Sequence, residues 1–128
     1  MLFRITMDGI RSRSESFDPS QIAVLTRHFP EPPAGQLRLA SPDVLEFTSS
    51  LLQSVVPGLP SHYFSTGGDE INTECYAQDS DTQITLKRRG WSFEGALSNF
   101  VVSAHRVVKS LGKVPVVWEG VYCFYDDL

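Results

Sequence analysis

The sequence predicts an α/β fold with parallel strands, and three features carry that prediction. Two stretches repeat apolar residues at helical spacing: Val44, Leu45, Phe47, Thr48, Leu51, Leu52 and Val55, and later Phe93, Ala96, Leu97, Phe100, Val101, Ala104, Val107, Val108 and Leu111. Each is followed by a short apolar run of strand character, His62 to Thr66 and Val114 to Trp118. Polar clusters stand at the same end of both runs. Helix, strand, helix, strand in this arrangement is the pattern of parallel strands joined by right-handed crossovers.

Taken in order, residues 1–30 carry the weakest pattern. Leu2, Arg4, Ile5 and Met7 suit a short strand, and Arg11 to Ser16 suit a polar loop. Asp18, Pro19 and Gln21 resemble a helix start leading into Ile22-Ala23-Val24-Leu25. Arg4, Arg11, Arg13, Arg27 and His28 are read as a solvated surface. Pro30, Pro32 and Pro33 then break any helix or central strand, because proline fixes φ and withholds a donor. Ser41-Pro42-Asp43 supplies an N-cap, a first-turn proline and a first-turn acid for the first long helix, which Pro57-Gly58 ends. Asn72 to Arg89 is polar and is read as a long loop holding a short helix from Thr82 to Lys87, capped by Asp79 or Ser80 and stopped by Gly90. The second long helix runs from its N-cap Ser92 to a stop at Gly112. Val114 to Trp118 is continuous enough in apolar residues to predict a strand buried on both faces, with Pro115 tolerated near its start.

Composition narrows the function. With 128 residues, 41% hydrophobic and 20% charged, the chain supports one modest core and falls short of the roughly 250 residues of an eight-stranded α/β barrel. A net charge of −4 and a pI near 5.2 supply no basic field for nucleic acid. No apolar run is long enough to span a bilayer, so neither a nucleic-acid nor a membrane partner is expected. Cys75 and Cys123 form neither a disulfide framework nor a zinc-ligand spacing, and no cofactor and no cysteine-bound metal is expected. The N-terminus shows no basic-then-apolar signal segment, and neither Asn72 nor Asn99 begins a glycosylation sequon.

The stretch Ser65-Thr66-Gly67-Gly68-Asp69-Glu70 is where chemistry is expected. Two glycines allow positive φ and leave room beside the backbone. The carboxylates Asp69 and Glu70 then stand at the mouth of a strand, where α/β folds place their working residues. Trp118-Glu119 stands at the corresponding end of the later strand. Three readings stay open on this pattern: a glycosidase acid pair, a cation bound by Asp69, Glu70 and Glu74, or a capped, solvated turn. His62 and His105 are assigned to packing or solvent.

Thr66-Gly67-Gly68-Asp69-Glu70-Ile71-Asn72, then Cys75, then Gly112-Lys113-Val114-Pro115-Val116-Val117-Trp118-Glu119, resembles the catalytic domain of family 20 glycoside hydrolases, the β-N-acetylhexosaminidases. Pro32-Pro33-Ala34-Gly35-Gln36-Leu37 is similar to fungal members of that family. The resemblance runs from about Glu31 to Glu119 and divides the chain into an N-terminal segment, 1–30, a partial catalytic domain, 31–119, and a divergent tail, 120–128.

It implies the middle strands and helices of a (β/α)8 TIM-type barrel, with exposed strand edges that favour self-association. It also implies a substrate-assisted retaining hydrolysis of terminal N-acetyl-hexosamine from an oligosaccharide or glycoconjugate. Glu70 would be the general acid, Asp69 the partner of the sugar's 2-acetamido group, Trp118 an aromatic wall and Glu119 a further substrate-binding residue. A secreted or lysosomal setting follows for the family. Cys75 matches a family cysteine often found in a disulfide, but Ala34 stands at the partner's place, so a free thiol is expected. Gly120 departs from a position usually acidic, and Tyr125 and Asp126 stand too near Trp118 to serve as the family's Tyr-and-Asp element. Two alternatives accompany this reading: a catalytically silent sugar- or partner-binding fragment, and a diguanylate-cyclase-like Gly-Gly-Asp-Glu enzyme, against which Ile71 stands where a phenylalanine is expected.

Overall fold

The computed structural model describes residues 24–25, 36–68 and 71–118. In chain order these form β1 (Val24–Leu25), β2 (Gln36–Leu37), α1 (Pro42–Val55), a 3-10 turn (Val56–Gly58), β3 (Tyr63–Ser65), α2 (Thr73–Gln78), α3 (Ser80–Arg89), α4 (Phe93–Ser110) and β4 (Val114–Val116). The architecture is helix-rich α/β. β3 and β4 pair in parallel, with Tyr63 opposite Val114, Phe64 opposite Pro115 and Ser65 opposite Val116. Val114 N–H donates to His62 O at 2.9 Å, so the alternation of a strand turns the missing N–H of Pro115 away from β3.

Both long helices follow their apolar spacing. α1 buries Val44, Thr48 and Leu52, four residues apart, and α4 buries Ala96, Leu97, Phe100, Val101, Ala104, His105 and Val108 on one face. At 18 residues and 1.5 Å per residue, α4 is about 27 Å long. Ser92 accepts from Gly95 N–H as predicted for an N-cap, and Gly112, at φ 75°, turns the chain off the helix. Ser41 occupies the N-cap of α1, although its hydroxyl makes no capping bond. The two helices pack together and bury two clusters. One joins Leu37, Leu39, Val44, Tyr76, Leu97 and Phe100 among others; the second joins Leu52, Val56, Ala104 and Val108, with Phe64 of β3 packed against it.

Three expectations are corrected. Val24–Leu25 do not close a helix: they pair antiparallel with β2, Val24 opposite Leu37 and Leu25 opposite Gln36. Four apolar residues do not distinguish helix from strand, and a partner beyond the proline break decided it. The rest of that expected helix lies outside the described residues. Asn72 to Arg89 is two helices rather than a long loop. Asn72 accepts from Cys75 N–H at 3.2 Å to start α2, and Asp79 accepts from Thr82 N–H at 2.9 Å to start α3. Tyr76, Thr82 and Leu86 anchor both in the core, and Gly90 at φ 63° closes α3. Lastly, β4 is not buried on both faces. Pro115 and Val117 are half-buried, while Val114, Val116 and Trp118 alternate with them and are exposed. Helices cover one face of the pair, and among the described residues nothing covers the other.

A belt of polar contacts ties β2 and its following turn to the short helices. Tyr76 Oη donates to Leu37 O at 2.8 Å, and Arg38 forms a two-pronged pair with Asp79, Nε to Oδ2 and Nη2 to Oδ1, both 2.9 Å. Arg38 Nη1 also reaches Asp81 Oδ2 at 3.0 Å. Burial pushes the Asp79 carboxyl up, but the hydrogen bonds from Arg38 and Thr82 together outweigh it and hold the group below the ordinary carboxylate range. Lys113 Nζ donates to the Leu59 and Ser61 carbonyls, fastening the entry of β3 to the entry of β4.

Candidate active site at the ends of the parallel strands

Parallel pairing brings the ends of β3 and β4 to one rim. The ladder continues past the strands: Thr66 N–H donates to Val116 O at 2.9 Å, and Trp118 N–H donates to Gly67 O at 3.2 Å. Gly67 and Gly68 are buried and hold φ of 77° and 118°, a conformation that a side chain at either position would strain. The turn expected from the glycine pair is therefore present, and Trp118 stands beside it. The Trp118 side chain is 57% exposed at the rim. Asp69, Glu70 and Glu119 lie outside the described residues.

One residue joins this rim that sequence reasoning left to packing or solvent. His105, buried on α4, places Nε2 3.0 Å from Thr66 Oγ1, and the same hydroxyl lies 3.2 Å from Val116 O. Burial, with a smaller contribution from the charge of Lys109, pushes the His105 imidazole below its ordinary range and favours the neutral ring. The signal available in the sequence was slight: His105 lies on the apolar face of its helix, between Ala104 and Val108. His62 behaves as expected, exposed and edge-on to Tyr63.

Glu74 sits exposed in the first turn of α2. Among the described residues no group of three His, Cys, Asp or Glu side chains is gathered to hold a metal ion. Also among the described residues, no helix is long and apolar enough to cross a membrane. Cys75 is a buried free thiol, its pKa pushed up by burial and then by Glu74. The shallow hollow lined by Arg38, Ala40, Ser41, Asp81, Thr82 and Thr85 shares no residue with the strand ends.

The model of the glycosyl hydrolase family 20 catalytic domain matches residues 9–125, reaching past 31–119 at both ends. A beta-hexosaminidase of Arthroderma benhamiae is 32% identical over 98 residues, covering 75% of this chain and 16% of that protein. Beta-hexosaminidase subunit A2 of Dictyostelium discoideum is 26% identical over 85 residues (66% of this chain, 16% of that protein). Beta-hexosaminidase subunit alpha of Bos taurus is 28% identical over 90 residues (69% and 17%). The chain thus spans about a sixth of the length of these curated relatives. The matches give no support to the diguanylate-cyclase alternative. By a match over most of its length, the chain belongs to glycosyl hydrolase family 20 and corresponds to part of that family's catalytic domain.

Proposed function

We propose that this chain carries the acid-bearing turn of a β-N-acetylhexosaminidase and acts on terminal N-acetyl-hexosamine of an oligosaccharide or glycoconjugate. The observation that carries the reading is the parallel register, which sets the Thr66-Gly67-Gly68 turn beside Trp118 at one rim. Glu70, which follows that turn, gives its proton to the glycosidic oxygen as the bond to the anomeric carbon breaks. The carbonyl oxygen of the sugar's own 2-acetamido group attacks that carbon from the other face, and an oxazolinium ring forms. Asp69, ionised, accepts the acetamido N–H and holds the group in line. Glu70 then takes a proton from water, water opens the ring at the anomeric carbon, and the configuration is retained. Glu70 needs a pKa raised by burial or a like charge to hold its proton near neutrality. Trp118 offers a flat apolar wall to the sugar, and Glu119 a further polar contact. The chemistry calls for no cofactor or metal.

The fold side of the proposal is a partial (β/α)8 barrel within 31–119. Phe64 faces the helices, and Tyr63, Val114 and Val116 form an exposed face that corresponds to the interior of such a barrel. Open edges of this pair also favour self-association.

A catalytically silent, sugar-binding role is the second reading, favoured by the chain's coverage of about a sixth of its relatives. The two are separated by assaying hydrolysis of a chromogenic β-N-acetylglucosaminide by the wild-type chain, Glu70→Gln and Asp69→Asn, alongside calorimetric binding of a thiazoline that mimics the oxazolinium ring. Turnover that falls about 10²- to 10⁴-fold in both variants is the expected result. Binding without turnover assigns the silent role, and neither binding nor turnover overturns both.

A further inference from the structure

Thr66 is the last residue with a side chain before the glycine pair, and it is only 3% exposed. Gly67 and Gly68 have no side chain by which the fold could grip them and take positive φ without strain. The turn is thus held through its backbone, Gly67 N–H donating to the Ser65 hydroxyl and Gly67 O accepting from Trp118 N–H, and through the residue before it. Whatever sets Thr66 therefore contributes to the direction in which the chain leaves β3. Two groups do so. The Val116 carbonyl receives both the Thr66 N–H and its hydroxyl, and the His105 ring meets the hydroxyl from the helix side.

We infer that His105 is a positioning residue for the Gly67-Gly68 turn, acting through the Thr66 hydroxyl. The inference rests on the proposal that the residues after this turn carry the chemistry. A hydroxyl has a single hydrogen. Spent on Val116 O, it leaves the Thr66 oxygen to accept from His105 Nε2–H, so the ring is the neutral tautomer protonated at Nε2. Burial disfavours the imidazolium and keeps that arrangement in place. His105 is a buried polar side chain on a helix face otherwise lined by apolar residues such as Ala104 and Val108, and its ring nitrogen finds a partner in the Thr66 hydroxyl. The ring joins α4 to the end of β3, and the carbonyl joins β3 to β4, so one hydroxyl ties three elements at the rim.

The test uses the full chain with His105→Leu, His105→Gln, Thr66→Val and Thr66→Ser. Three backbone amides report on the turn: Thr66, Gly67 and Trp118, bonded to Val116 O, the Ser65 hydroxyl and Gly67 O respectively. Hydrogen exchange at these amides is expected to rise about tenfold in His105→Leu and Thr66→Val while the middle of α4 stays protected. His105→Gln and Thr66→Ser, which keep a polar group at each place, are expected to restore slow exchange. In the wild type, nitrogen-15 spectra of the ring should show the hydrogen on Nε2. On the chromogenic substrate, kcat should fall at least tenfold in the two apolar variants with KM nearly unchanged. Exchange at the three amides that His105→Leu leaves as in the wild type, or a ring protonated at Nδ1, overturns the inference. A wild-type chain that neither turns over substrate nor binds the thiazoline overturns the functional reading instead, and the exchange and ring measurements still decide the role of His105.

Discussion

The α1–α4 pair and the β3–β4 pair both carry apolar side chains and reach opposite outcomes. The helices close on each other: Val44, Leu52, Leu97 and Phe100 are fully buried between them and their neighbours. The strands are half closed, with Phe64 packed on the second cluster and Tyr63 62% exposed on the opposite face. A helix satisfies its own backbone and needs cover on one stripe only. A strand needs a partner on each edge and cover on each face, so two strands alone leave edges and a face unmatched. Stability is therefore concentrated in the helical layer, and the sheet serves mainly to bring two strand ends to one rim.

The comparison is broken most directly by Phe100→Ala. Removing the largest fully buried side chain should cost about 3–5 kcal/mol through lost burial and a residual cavity. Val116→Ser on the open strand face should cost about 0.5 kcal/mol or less. Urea midpoints of the two variants measure the contrast, and equal losses would mean that the open face is covered in solution.

A middle-sized effect is expected at Asp79, whose carboxylate caps α3 and pairs with Arg38. Asp79→Ala should lose about 2–3 kcal/mol, combining a helix cap with charged hydrogen bonds. Because the folded pKa is held below that of the unfolded chain, this contribution is fully present above about pH 4 and is lost as pH falls through the folded value. Asp79→Asn should flatten that part of the acid unfolding profile, which circular dichroism against pH would record.

The smallest effect has the opposite sign. Thr48 faces the core from α1, and its buried hydroxyl has no hydrogen-bond partner among the described residues. Thr48→Val keeps the shape and removes the orphaned group, so the thermal midpoint should rise, by the equivalent of about 1 kcal/mol. A fall would show that the hydroxyl is bonded in solution.

What could be read from residue order was whatever depends on neighbours three or four places away. The spacing from Val44 to Val55 and from Phe93 to Leu111, the caps at Ser92 and Asp79, and the stops at Gly90 and Gly112 all act within a turn of helix, and all appear where expected. The glycine pair before Asp69 was equally legible, since its conformational freedom belongs to the residue itself. Contacts across long separations were decided by tertiary structure. Val24 became a strand because Leu37 stood opposite; Asn72 to Arg89 became two helices because Tyr76 and Leu86 found a core and Arg38 found Asp79. Val114 and Val116 stayed exposed because burial depends on which layers arrive, not on the hydrophobicity of the strand. His105 meets Thr66 from 39 positions away, and no local pattern encodes a hydrogen bond that exists only once a helix has been laid across the end of a strand.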